Sequence, residues 1–433
     1  MLSPDSSISQ AKPMFQYQKE NHAAAWTQDY VFQQLIPYIG NKRKLLGLLQ
    51  QSIEFTEVDP AKATFLDLFA GSGVVARMAK RLGFRVIAND WEPYSYDINA
   101  CHVGCNQPPL FAELGGYERA LALLNSLDPR EDWVTRHLCP DDDIHFDVER
   151  DRMFYTRANG MRLDAMRDRI ELWDHQGVLS TAEKSCLLAP LLYQASYTSN
   201  TSGLFKAFHR GWGGQTGTAL YRILSEVDLK PALFCDNGRD NEVYQFDCHQ
   251  LVQYLASEKI PVDVAYLDPP YNQHPYGSNY HVLNSLSLWD KPSVTPKIEG
   301  RNKSAIREDW KTERRSAYNY RSEAWTAYAA MMENLDAHYI LTSYSTDGMI
   351  PLEGMVSTCI SKGHTEVFCR PYKRYRVSSQ RFSSKPVNVE FVLLVDSRRR
   401  HRGGSVEALC EKIRHAEATA LMIHPENSFE LVG

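Results

Sequence analysis

Apolar and polar positions divide this chain into stretches with different periods. The polar beginning, to about Asp29, carries no apolar period, and residues 1–30 are expected to form a flexible tail. From Thr64 the pattern sharpens. Thr64-Phe65-Leu66-Asp67-Leu68-Phe69-Ala70-Gly71-Ser72-Gly73 reads as a strand entering a glycine turn, and Val74 to Lys80 follows with helical spacing. Arg85-Val86-Ile87-Ala88-Asn89-Asp90 reads as the adjoining strand, ending in an acid. Between about Ala100 and Lys230 the strand–helix alternation stops, and apolar residues recur at helical spacing, as in Arg162 to Trp173 and Lys184 to Tyr193. Strand signals resume at Ala232-Leu233-Phe234-Cys235, Val243 to Asp247, Val264 to Leu267, His338 to Tyr344 and Val389 to Val395. An amphipathic helix is expected from Val406 to about Met422, packed either on the core or on a partner. Strands alternating with helices predict an α/β fold with a mainly helical insert.

The run Val264-Ala265-Tyr266-Leu267 stops at Asp268-Pro269-Pro270-Tyr271. A buried parallel strand that ends so delivers a carboxylate to the carboxyl edge of the sheet, where α/β folds place ligands. The prolines fix φ and remove two N–H donors, so the loop offers carbonyl oxygens in a rigid geometry. Tyr271 adds a flat face. Together these suit an exocyclic amine on a planar heterocycle, which donates two hydrogen bonds and stacks. A strand end with a Pro-Pro turn would look the same. Glycines at 71 and 73 permit close backbone approach to a ligand, and an acid such as Asp90 after the second strand can grip a ribose diol.

Composition narrows the setting. With 433 residues, 43% of them hydrophobic, the chain can build one large core plus an inserted domain. The nine cysteines lack paired spacing; Cys101-His102-Val103-Gly104-Cys105 alone invites a metal, and without a second ligand pair no metal site is expected. No signal peptide or spanning apolar stretch is read, so a cytoplasmic protein without membrane attachment is expected. The net charge of −5 is unusual for a nucleic-acid binder. Distribution matters more than the sum. Acid gathers at Asp141-Asp142-Asp143 and Asp147 to Asp151, and base gathers at Asn41 to Lys44, Arg301 to Arg321, Tyr372 to Arg376 and Arg398 to Arg402. Asn200 to Gly214 mixes glycine, aromatic and basic residues, which suits either DNA contact or a compact structural loop.

The Asp-Pro-Pro-Tyr segment resembles the catalytic motif of the amino-group DNA methyltransferases, and Asp-x-Phe-x-Gly-x-Gly resembles the S-adenosylmethionine loop of class I methyltransferases. Pro37-Tyr38-Ile39-Gly40-Asn41-Lys42 is similar to the N-terminal cofactor motif of the Dam-like adenine methylases. The order of the three, from about Ile36 to Val395, identifies an alpha-class, Dam-like DNA adenine-N6 methyltransferase of the restriction-modification type. The resemblance implies a Rossmann-like doubly wound sheet over residues 31–100 and 231–397, a helical target-recognition insert at 101–230, and a basic linker with a C-terminal helix at 398–433. It implies Asp268, Pro269, Pro270 and Tyr271 as catalytic. Tyr38, Gly40, Lys42, Asp67, Phe69, Gly71, Gly73, Asp90, Trp91, Asp247, Cys248 and Asp268 would bind S-adenosylmethionine. Cys248 departs from the family's usual phenylalanine, which puts stacking there in doubt. Lys206, His209, Arg210, Asn279, Tyr280, Lys373, Arg374 and Arg376 would face double-stranded DNA, with Tyr276 to Asn284 as a wall over the flipped base. A bacterial, archaeal or phage origin and cognate restriction or defence partners go with the type; the oligomeric state is open. Enzymes acting on RNA adenine or the cytosine amino group share these features, and a non-catalytic DNA-binding subunit is the reading from another class.

Overall fold

The computed structural model describes residues 28–373 and 387–423. Its centre is one sheet of seven strands among the described residues: β1 Thr64–Asp67, β2 Arg85–Asn89, β3 Glu242–Tyr244, β4 Val264–Leu267, β5 Tyr339–Ser345, β6 His364–Lys373 and β7 Val387–Asp396, in the order β3-β2-β1-β4-β5-β7-β6. The first five strands are parallel, and β7 runs antiparallel to both β5 and β6. The order of strand addition reverses between β1 and β4: after β1 the chain builds outward through β2 and β3, then returns to lay β4, still parallel, on the other side. A crevice opens at such a reversal, at the carboxyl ends of the strands. It sets Asp67 and Asp268 at neighbouring strand ends.

Alternating residues explain the two covered faces. Phe65, Val86, Ala88, Val264, Tyr266 and Leu341 pack with the helices Leu46–Glu54 and Val74–Leu82. Leu66, Ile87, Ala265, Leu267 and Ile340 pack with the helices Cys248–Ser257, Ala324–Asn334, Leu352–Lys362 and Val406–Ile423. The last helix therefore packs on the core, through Leu409, Cys410 and Ile413. None of the described helices is long and apolar enough to cross a membrane.

Between β2 and β3 the regular elements are helices, including Tyr117–Asn125, Trp133–Leu138, Arg157–His175 and Thr181–Tyr197, joined by long irregular segments at 139–156 and 198–219. These helices share a third core with the helix His281–Leu288, so the chain beyond the Asp-Pro-Pro-Tyr loop is packed into the helical body. Buried Arg152 ties this body to the next loop by donating to the carbonyls of Thr295, Lys297, Asn302 and Lys303.

Two strand expectations need correction. Ala232–Cys235 is extended but pairs with no strand, because side chains have taken its backbone groups: the Ala232 N–H donates to the Tyr117 hydroxyl, and the Leu233 carbonyl meets His102 Nδ1. β6 was not anticipated. Its buried Thr365 and Val367 alternate with His364, Glu366 and Phe368, a half-buried edge whose signal is diluted by polar residues. The tail expected over residues 1–30 falls largely outside the described residues; Tyr30 itself is buried, with its hydroxyl on the His102 carbonyl at 2.5 Å.

Candidate active site

β1 ends in Asp67 and runs into the glycine turn. Gly71 and Gly73 have φ of 53° and 75°, which L side chains rarely adopt. A Cβ on Gly71 would lie 2.6 Å from the Tyr38 ring, and one on Gly73 would lie 2.3 Å from Asn99 Oδ1. The turn is fixed from behind by Ser95 Oγ and Asn99 Nδ2, which donate to the Gly71 carbonyl at 2.6 and 3.1 Å. Asp90 accepts from the Gly71 N–H at 2.7 Å and from the Glu92 N–H at 2.9 Å, so it braces the loop as well as facing the crevice. Trp91 is half-buried beside it. Phe69 meets the Tyr318 ring edge-on at 5.5 Å.

Asp67 is the anomaly of the crevice. It is 1% exposed, and neither carboxylate oxygen accepts a hydrogen bond among the described residues. Burial first, then repulsion from Asp268 and Asp90, holds its carboxyl well above the usual range. The nearby Phe69 and Ala76 N–H groups offset this only in part and complete no hydrogen bond, so the acid fits a ligand that brings N–H groups or positive charge.

Asp268 stands next to it at the end of β4. Its Oδ1 accepts from the Tyr271 hydroxyl at 2.7 Å and from Ser343 Oγ at 3.3 Å, and the Lys42 ammonium lies 3.1 Å away. The ammonium also bonds the Tyr271 hydroxyl and lies 4.3 Å from the centre of that ring. Burial is the largest influence on Asp268, and Glu390 adds to it; Lys42 pulls the other way, leaving the carboxyl pushed up to about 6. Pro269 is buried, and its carbonyl accepts no hydrogen bond among the described residues. Pro270 and Tyr271 are half-buried, and the Tyr271 ring is braced edge-on by Tyr344 at 4.9 Å.

The N-terminal segment is locked onto this loop by tyrosines. Tyr38 stacks on Tyr276 and on Tyr280, each at 5.3 Å. The Ile39 N–H donates to the Tyr280 hydroxyl at 2.8 Å, and the Tyr276 hydroxyl donates to the Ile39 carbonyl at 3.2 Å. Gly40 makes the exposed turn that follows, and Asn41 caps the turn Lys42–Lys44 by accepting from the Arg43 N–H. Asp247 caps the helix Cys248–Ser257, accepting from the His249 N–H at 2.9 Å. Cys248 is buried in the core with Tyr318.

The residues expected at DNA are scattered. Asn279 and Tyr280 are buried, at 2% and 1% exposed, and their groups are committed to internal bonds, so as placed here they present no surface to a partner. Both sit on the inward side of the turn that packs against Tyr38. Arg210 is exposed but paired with Glu149 at 2.7 Å. His209 and Lys206 are half-buried, and Lys206 is lowered by burial with no acid paired to it among the described residues. Arg374 and Arg376 lie outside the described residues; of Lys373 the strand position alone is described. Part of the acid at 141–151 is neutralised by bases from outside the named basic segments, Lys297 on Asp141 and Asp151 and Arg210 on Glu149.

The family model described as D12 class N6 adenine-specific DNA methyltransferase matches residues 38–325, from the stacked tyrosine through the glycine turn and the Asp-Pro-Pro-Tyr loop. The chain belongs to this family. It is a site-specific adenine methyltransferase of DNA, of the restriction-modification type. Among its relatives, the type II methyltransferase M.NlaIII of Neisseria lactamica is 32% identical over 359 residues, covering 82% of this chain and 97% of that protein. The type II methyltransferase M.FokI of Planomicrobium okeanokoites is 29% identical over 356 residues, covering 80% of this chain but 51% of the relative. The type II methyltransferase M.CviAII of Paramecium bursaria Chlorella virus 1 is 29% identical over 341 residues, covering 93% of that protein. The chain thus spans nearly all of two relatives and about half of the third.

The crevice and the loop beyond it also hold residues to which the sequence reading gives no role. Ser343 on β5 and Glu390 on β7 complete the surroundings of Asp268 and Lys42. Glu390 carried a readable signal, an acid within an apolar strand, which must find a cation. Asn200 shapes the loop after the helix Thr181–Tyr197. Fully buried, it donates to the carbonyls of Met153, His209 and Gly211 and accepts from the Gly213 N–H.

Proposed function

We propose that this methyltransferase takes its methyl group from S-adenosylmethionine and places it on N6 of an adenine swung out of duplex DNA. One observation carries the reading: a strand-end carboxylate, followed by a proline carbonyl that accepts no hydrogen bond among the described residues, stands at the strand next to the glycine turn and the unmet Asp67. Those residues suit the cofactor. Asp67 would offer buried negative charge to its amino-acid end, Asp90 has lone pairs left for ribose hydroxyls, and Asp247, at the start of the helix Cys248–Ser257, would accept from its adenine amino group. When bound, the cofactor supplies an electrophilic methyl on a sulfonium.

Asp268 and the Pro269 carbonyl accept the two N–H bonds of the target amine. That holds the nitrogen nearer tetrahedral and turns its lone pair out of the ring system, toward the methyl. Tyr271 and its edge-on brace Tyr344 give the base a stacking face, which offsets roughly a few kcal/mol of unstacking. Orientation and exclusion of water are the protein's share of the chemistry. Since Asp268 must be ionised to accept, transfer falls as pH drops through about 6. The helical stretch 101–230 is the target-recognition region in this reading. Lys206, His209 and Arg210 meet phosphate, Arg210 by exchanging Glu149 for a stronger anion.

Labelled-methyl transfer to unmethylated duplex DNA, followed by nucleoside analysis, tests the proposal. Label in N6-methyldeoxyadenosine supports it; label in N4-methyldeoxycytidine, or in RNA alone, overturns it.

A further inference from the structure

Glu390 lies within β7, opposite Ser345 on β5 and Arg370 on β6, among Val389, Phe391, Val392 and Leu393. Its Oε2 is buried and accepts no hydrogen bond among the described residues, yet the Lys42 ammonium is 3.6 Å away. That is an ion pair too long for a hydrogen bond. The ammonium stands nearer to Asp268, and it lies over the Tyr271 ring. It therefore occupies both the acceptor and the face that the target base needs. Arg370, the cross-strand partner of Glu390, donates to the Lys44 carbonyl at 2.8 Å, so the β6–β7 pair holds the Lys42–Lys44 turn at two points.

We propose that Glu390 is a positioning residue that receives the Lys42 ammonium when the target base enters, releasing Asp268 and the Tyr271 face. This rests on Asp268 being the amine acceptor. The physics favours a short transfer. A move of under about 1 Å turns 3.6 Å into a charge-assisted hydrogen bond. The ammonium stays paired throughout, which matters because an uncompensated buried charge is strongly destabilising. Without Glu390, the ammonium has Asp268 alone and competes with the base for it. The other groups facing this centre are Tyr266 from β4, Ser343 and Tyr344 from β5, Asp67 from β1, Tyr271 from the loop and Tyr276 from the following helix. Burial raises Tyr266, Tyr276 and Tyr344 above the usual phenol range, and Asp67 is raised too, so among these groups Asp268 is the acid that titrates near neutral pH. Glu92, behind Asp90, is pushed by its burial to about 7.

The test is single-turnover transfer to unmethylated, high-complexity duplex DNA between pH 5 and 9. Glu390→Gln should slow transfer roughly 10- to 100-fold, as misplacement of a site group does, with cofactor affinity within about threefold. Its acid limb should move to lower pH, because the Glu390 charge helps to raise Asp268. In a Lys42→Met background the same substitution should change the rate by less than about threefold, since Glu390 acts through Lys42. Glu390→Asp, which keeps the charge, should recover most of the rate and stands in if the Gln variant does not fold. Equal losses in both backgrounds, an unmoved acid limb, or a fully active Glu390→Gln would overturn the proposal. Wild-type transfer separates the two readings: if the wild type leaves DNA unmodified, the assignment of Asp268 fails first.

Discussion

Lys42 and Arg210 both come from short basic segments, and they end in opposite circumstances. The Lys42 side chain is 4% exposed, and its ammonium is shared by Asp268, Glu390 and Tyr271. The Arg210 side chain is 57% exposed and meets a glutamate that is itself 64% exposed. Breaking a buried pair leaves a bare charge and costs on the order of 3–5 kcal/mol. An exposed pair contributes about 0–1 kcal/mol, because water and salt take its place. The crevice is therefore a set of groups that must move together, whereas the loop's charges can exchange partners, phosphate included. Catalysis and DNA contact call for those two behaviours respectively.

The contrast is sharpest at Asp268. Asp268→Ala should lower methyl transfer on the order of 10³-fold or more, while cofactor binding stays within about tenfold, since the carboxylate acts on the target amine. Single-turnover assays beside binding titrations check it, and full activity in the variant would remove the mechanism. Asn200→Ala should cost about 3 kcal/mol of stability through orphaned buried carbonyls, read as a lower melting temperature with the crevice chemistry intact. An unchanged melting temperature would mean that the loop holds its shape without Asn200. Asp90→Ala should weaken S-adenosylmethionine binding by about 1–3 kcal/mol, measured by calorimetry; an unchanged dissociation constant would limit Asp90 to bracing the glycine turn. Smallest is the effect of Lys206→Ala with Arg210→Ala. The log–log salt slope of DNA binding should flatten by about one unit per lost contact, less for Arg210 because Glu149 competes, and stability should barely move. A slope equal to that of the parent would withdraw the loop from the DNA surface.

The same contrast governs what could be read beforehand. Asp67, Gly71, Gly73, Asp90 and Asp268 sit at strand ends or in a tight turn, where few residue types serve, and they occupy those places in the fold. Glu390 escaped notice because its cation belongs to a turn at the other end of the chain, and local spacing carries no trace of that contact. The family resemblance places Asn279 and Tyr280 at DNA, but both are buried, and Tyr280 stacks on Tyr38, another distant partner. Charges far apart in sequence meet in space, as Lys297 does with Asp141 and Asp151. Exposed charges are the least determined by local sequence, so the DNA surface was the least legible part.

The most direct test of the central claim, that Asp268 holds an adenine amine for methylation at a DNA site, is methylation-aware sequencing of DNA from cells expressing the wild type or Asp268→Ala. The wild type should leave N6-methyladenine at one short sequence throughout the genome, and the variant should leave none. Methylation on cytosine N4, or N6-methyladenine persisting at that sequence in the variant, would contradict the account.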